Sequence, residues 1–162
     1  MPFPLPSRRL ALVAAAGALL AACRSAAPPP SEPAPDPAAN DAFLAKNAQA
    51  PGVVSADGIQ YKVLASGPPE GRHPTPADSI TIDYEGRLLS GKVFDATQPG
   101  QPATFTLGDL IPGWVTGLQL MRPGDEWILW IPPQLAYGFS DKGPIPGGSL
   151  LVFKIRLISI GS

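Results

Sequence analysis

The scarcest reactive side chains set the first limits on this 162-residue chain, which has one cysteine, Cys23, and one histidine, His73. A single cysteine excludes an intramolecular disulfide, a CxxC redox pair and every zinc site built from several cysteines, and His73 alone cannot anchor the usual histidine-based metal centres. The Cys23 thiol is a nucleophile by chemistry, but no histidine or acid lies near it in sequence to activate it. The serines likewise lack a base partner. Asp83 and Glu85 flank Tyr84, and in an extended strand both point away from it, which fits a solvated face better than a general acid/base pair. His73 falls in the turn-rich stretch Gly71–Pro76 and reads as exposed and inert. No metal and no cofactor are expected. The 12 Lys plus Arg against 13 Asp plus Glu give a net charge of -1, so there is no basic field for nucleic acid. The length is about that of one domain, and one core must position whatever site exists.

The elements that could do so follow a leader. Arg8 and Arg9 precede Leu10 to Ala22, an uncharged apolar run. As a helix it would cover about 20 Å, short of the ~30 Å hydrocarbon core, so an export signal over residues 1–22 is favoured over a permanent span. Leu20-Ala21-Ala22-Cys23 resembles the lipobox of bacterial lipoproteins, which would make Cys23 the acylated first residue of the mature chain. An ordinary signal peptide cut after an Ala-x-Ala, and a twin-arginine signal, are the alternatives. Loss of Arg8 and Arg9 takes the net charge from -1 to -3, so acyl chains rather than anionic headgroups would hold the protein to the membrane. Arg24 after the cysteine favours the outer membrane and a periplasmic location in the cell envelope.

Residues 23–40 are rich in Pro and lack any large apolar side chain, which predicts a polyproline spacer reaching up to roughly 50 Å. Asn40 or Asp41 can cap a short helix over residues 41–48, ended by Pro51-Gly52, within a linker that runs to residue 55. Two turns are too few for a dimerising stalk, so a monomer is expected. Period-two runs then predict strands over 59–64, 79–89, 104–107, 126–131 and 150–158 in a domain spanning 56–162. Ile80, Ile82 and Tyr84 form one apolar face, and Leu151, Phe153, Ile155 and Leu157 another, opposite Lys154 and Arg156. Trp114, Leu118 and Met121 recur at helical spacing and supply the cover. The fold class is α+β, a bent antiparallel sheet wrapped around one short helix.

Several blocks, taken in order, carry a resemblance. They are Tyr84-Glu85-Gly86, Gly91-Lys92-Val93-Phe94-Asp95, Ile111-Pro112-Gly113-Trp114, Gly124-Asp125-Glu126-Trp127, Ile131 to Gly138 and Leu151-Val152-Phe153. Over residues 56–158 the chain resembles the FKBP-type peptidyl-prolyl cis-trans isomerases, in the bacterial lipoprotein form of the macrophage infectivity potentiator type. The resemblance implies the sheet-and-helix fold already read from periodicity, isomerisation of Xaa-Pro segments of exported polypeptides, and binding of the family's macrolide inhibitors. Its chemistry needs no triad. Rotation of an Xaa-Pro amide meets a barrier of about 18–20 kcal/mol set by resonance, and the twisted amide is less polar than the planar one, so a dry aromatic hollow favours the transition state.

By the resemblance, Trp114 is the floor of that hollow, Phe94 and Phe153 grip the prolyl ring, and Leu110, Ile111 and Ile145 complete the wall. Tyr137 and the Ile111 amide would donate to substrate carbonyls, and Asp95 at the rim would either face the twisting carbonyl carbon or orient Tyr84. Each residue also has a plainer reading: Trp114, Phe153 and Tyr84 as core, Asp95 as a loop acid, Tyr137-Gly138 as a turn. Two features depart from the family pattern. Residues 96–104 hold no basic partner for Asp95, and Ala103 stands where a pocket aromatic is common, lowering that wall. The competing function is a non-catalytic chaperone or binding module that uses the same hollow to hold Pro-containing segments.

Overall fold

Alternation of apolar and polar side chains builds the sheet. In the computed structural model, which describes residues 35–161, seven antiparallel strands run β1 (Val53–Ala56), β2 (Ile59–Ala65), β3 (Ser79–Leu88), β4 (Val93–Ala96), β5 (Ala103–Thr106), β6 (Glu126–Ile131) and β7 (Leu151–Gly161). The expected leader, Cys23 and the spacer up to residue 34 lie outside the described residues. The strand order is β1-β2-β6-β7-β3-β4, with β5 also paired to β3. One edge of β3 is therefore shared. Ser79 to Ile82 pair with β5, and Glu85 to Arg87 pair with β4, while β7 runs along the other edge. The split brings two separate loops' worth of side chains against one strand.

The inward face is the one read from the sequence. Ile80, Ile82, Leu129, Ile131, Leu151, Ile155 and Leu157 are fully buried, and each such side chain contributes about 1.5–3 kcal/mol of gross burial energy. Helix α2 (Pro112–Leu118) lies across this face, started by Pro112 at a position where its missing N–H costs nothing. It can approach closely because two of its residues lack side chains: a Cβ on Gly113 would collide with Ile131, and one on Gly117 would sit 2.8 Å from Leu129 Cδ1. Met121, beyond the helix end, is still fully buried.

Helix α1 (Pro37–Asn47) differs from expectation at its start. It begins at Pro37, not at residue 41, because the Asp36 carboxylate caps it by accepting from the Ala38 amide and Pro37 fits the first turn. The last residues assigned to the spacer thus belong to the helix, and Asn40, proposed as a cap, is buried inside it. Asn40, Phe43, Leu44 and Asn47 face the domain at helical spacing. The far end of α1 is tied down by Gln60, whose amide donates to the Leu44 carbonyl and accepts from Asn47, both at 2.9 Å.

Hydrogen bonds organise the loop before β3. His73 is exposed, as read, and its Nδ1 lies 3.0 Å from the Met121 carbonyl oxygen. Next to it the Arg72 guanidinium donates twice to Asp78, at 2.8 and 3.0 Å, and the Thr75 amide and hydroxyl add two more bonds. The Arg72 bonds first, and those of Thr75 second, hold the Asp78 carboxyl far below the usual carboxylate range.

Candidate functional site

Four elements deliver aromatic side chains to one place. β3 contributes Tyr84, β4 contributes Phe94 and Asp95, β7 contributes Phe153, and the start of α2 contributes Trp114. They line a cavity of about 160 Å³ together with Phe105, Leu110, Ile111 and Tyr137. Its geometry is a set of perpendicular ring contacts centred on the indole. The Trp114 ring lies 5.1 Å from Tyr84 at 79°, 5.0 Å from Phe153 at 82° and 6.4 Å from Phe105 at 75°. Phe94 meets Phe153 edge-on at 5.6 Å and 90°. Such edge-to-face arrangements set the positive rim of one ring against the negative face of the next, so the rings brace one another. Trp114 and Phe153 are buried, whereas Phe94 is half-buried at the mouth.

The polar groups sit around this apolar base. The Tyr84 hydroxyl donates to Asp95 Oδ2 at 2.6 Å. Burial first, and the Asp95 carboxylate second, push the Tyr84 phenol well above the usual tyrosine range. Burial, and again Asp95, raise Tyr137 as well. Both phenols are therefore neutral donors at physiological pH. Tyr84 gives its proton to Asp95, while Tyr137, 41% exposed, has no protein acceptor among the described residues. The Ile111 amide, at the cap of α2, is likewise absent from the helix and turn hydrogen bonds, whereas its carbonyl accepts from Trp114 and Val115. The indole Nε1 of Trp114 is buried with no acceptor. An apolar hollow with free donors at its rim can hold a ring-shaped apolar group and hydrogen-bond the carbonyls attached to it.

The pattern decides the family. Residues 70–158 match the FKBP-type peptidyl-prolyl cis-trans isomerases. The chain belongs to this family. Among curated FKBP-type proteins it is 48% identical over 122 residues to "Peptidyl-prolyl cis-trans isomerase Mip" of Coxiella burnetii, an alignment covering 74% of this chain and 52% of that one. It is 46% identical over 126 residues to "Outer membrane protein MIP" of Legionella longbeachae, covering 76% and 53%. The chain spans about half the length of these curated relatives. Among solved structures, the peptidyl-prolyl cis-trans isomerase of Pseudomonas syringae pv. tomato superposes with a TM-score of 0.72 at 38% identity, covering 77% of this chain and 92% of that one.

Within this FKBP-type domain the sequence-derived candidates do not all converge. Tyr84, Phe94, Asp95, Leu110, Ile111, Trp114, Tyr137 and Phe153 share the cavity. Ile145 does not line it. Reciprocal hydrogen bonds with Lys142, at 2.8 and 3.0 Å, close a turn around Ile145, and its side chain is buried in the core cluster. Ala103 does not line the cavity, whereas Phe105, two residues along the same strand and so on the same face, does. Phe105 was legible from that alternation. Gly86 was not singled out either, yet a Cβ there would stand 2.6 Å from Phe94 Cζ and 2.8 Å from Phe153 Cε1, so its missing side chain is what lets the two rings meet.

Proposed function

We propose that this chain is a peptidyl-prolyl cis-trans isomerase that assists the folding of exported polypeptides. The observation that carries the reading is the ring-walled cavity over Trp114 with its rim of neutral donors. A prolyl ring enters between Phe94 and Phe153 and rests on the indole. The walls exclude water from the imide, which penalises the polar planar amide more than the twisted one. The Tyr137 hydroxyl and the Ile111 amide bind carbonyls on either side of the rotating bond, and Asp95 orients Tyr84 rather than transferring a proton. The test is a protease-coupled assay on an Ala-Leu-Pro-Phe type peptide. The folded protein is expected to accelerate isomerisation, and Phe94→Ala to reduce kcat/KM at least tenfold, since Phe94 is a half-buried wall packed against the core rather than inside it. A rate equal to the uncatalysed one, together with suppression of aggregation that survives Phe94→Ala and Asp95→Ala, would assign the cavity to a binding module instead. The family's macrolide inhibitors are expected to compete for the same hollow.

We also propose that Cys23 is acylated and holds the domain at the membrane of the cell envelope, facing the periplasm, as a monomer. The apolar run ending in Leu20-Ala21-Ala22-Cys23 supports this, as does the relative named "Outer membrane protein MIP". Expressed as the full chain in a Gram-negative host, the protein should incorporate labelled fatty acid and fractionate with the outer membrane. Cys23→Ala should abolish the label and release the domain, and label retained in that variant would refute the assignment.

A further inference from the structure

The loop between β6 and β7 carries Tyr137; Leu135, Ala136 and Ile145 pack it on the core, and hydrogen bonds fix the backbone between them. The Gly138 amide donates to the Pro133 carbonyl at 2.8 Å, and the Gly138 carbonyl accepts from the Gly148 amide at 2.9 Å, which pins the backbone directly after Tyr137. Gly138 and Gly148 adopt φ values of 74° and 80°, where a side chain would be strained. The Gly148 carbonyl then accepts from Asn40 Nδ2 at 2.8 Å, a bond that crosses from α1 to this loop. Asn40 is 6% exposed. A cavity of about 280 Å³ lined by Pro35, Ala39, Asn40, Leu89, Pro146 and Leu150 lies beside this bond.

We propose that Asn40 is a positioning residue for the site, holding the Tyr137 hydroxyl at the rim of the cavity by fixing Gly148 and, through it, Gly138. This rests on the isomerase reading above. An asparagine is needed for its donor: an aspartate of the same shape presents oxygens to the Gly148 carbonyl and leaves that buried acceptor without a partner. The Gly148–Gly138 and Gly138–Pro133 bonds then lose their brace, and Tyr137 shifts with them. The helix that follows the spacer thus sets the geometry of a rim it does not itself touch.

The experiment uses the full chain, as Asn40→Asp, Gln60→Ala and Tyr137→Phe, assayed with the same peptide at a temperature where circular dichroism shows each variant folded. Asn40→Asp is expected to lower kcat/KM about tenfold, in the range that small displacements of binding groups produce. In the Tyr137→Phe background the same change should cost less than about twofold, since both remove one interaction. Gln60→Ala loosens the opposite end of α1 and should leave the rate within about twofold of the parent. Hydrogen exchange at the Gly138 and Gly148 amides should rise in Asn40→Asp alone. Additive losses in the double variant, an equal loss in Gln60→Ala, or a wild-type rate in Asn40→Asp would each overturn the proposal while leaving the isomerase reading in place. An inactive wild-type protein would instead remove that reading, and Asn40→Asp would then be judged by exchange alone, with unchanged protection at Gly138 refuting it.

Discussion

Trp114→Ala should both empty the site and weaken the fold, and the two effects are separable. The indole is 5% exposed and touches the rings of Tyr84, Phe153 and Phe105. Truncating a buried aromatic costs about 3–5 kcal/mol, the sum of lost transfer energy and the cavity left behind. Because its Nε1 has no acceptor, no partner is orphaned, and the whole loss is packing. A domain of this size has roughly 5–15 kcal/mol in total, so the variant should still fold in the cold. Its kcat/KM is expected to fall by at least 100-fold (about 2.7 kcal/mol at the transition state) because the prolyl ring loses its floor and water enters beneath it. Trp114→Leu keeps an apolar floor and forfeits the ring contacts, each worth about 0.5–1.5 kcal/mol, so its rate should lie between the two. Urea titration reads the stability and the peptide assay reads the rate. Trp114→Ala with unimpaired kcat/KM would take the cavity out of the reaction.

Why some of this was visible in the sequence and some was not comes down to range. Period-two alternation in Ile80-Thr81-Ile82 and Leu151 to Leu157 declares a buried face locally, and those faces are buried as read. Short strands carry too few residues to show a period. β1 and β4, four residues each, were not anticipated, although Asp57-Gly58, with φ values of 48° and 84°, is the tight-turn pair that joins β1 to β2. The start of α1 is hidden because repeated proline signals a spacer, whereas at a first helical turn it is compatible with the helix. At the site, Tyr84, Phe94, Trp114 and Phe153 were recognisable only as a set of ordered blocks, since each alone reads as core. The Tyr84–Asp95 bond joins β3 to β4, a matter of pairing register that no local pattern encodes. Ile145, placed by resemblance, is buried in the same core cluster as Trp114 and Phe153 without lining the cavity.

Gly86→Ala should reduce activity nearly as far as deleting Phe94, through a methyl group that touches no substrate. Gly86 stands opposite Phe153 on β7 and opposite Asp95 on β4. It is not among the glycines at positive φ, so its backbone accepts alanine, and the added residue would even gain about 0.5–1 kcal/mol of strand stability on conformational entropy. Space is the obstacle. The new Cβ would lie 2.6 and 2.7 Å from Phe94 Cζ and Cε2 and 2.8 Å from Phe153 Cε1. Phe153 is 2% exposed and braced against Trp114, so it cannot give way, whereas Phe94 is half-buried and can swing outward. The strain should therefore be relieved by expelling Phe94 from the wall, at a net cost of about 1–3 kcal/mol typical of overpacking. The expected result is a kcat/KM within about threefold of Phe94→Ala and a double variant, Gly86→Ala with Phe94→Ala, that is more stable than Gly86→Ala alone, because the ring that clashed is gone. Full activity in Gly86→Ala, or a double variant less stable than either single one, would mean that the Phe94–Phe153 pair is not what the absent side chain at residue 86 protects.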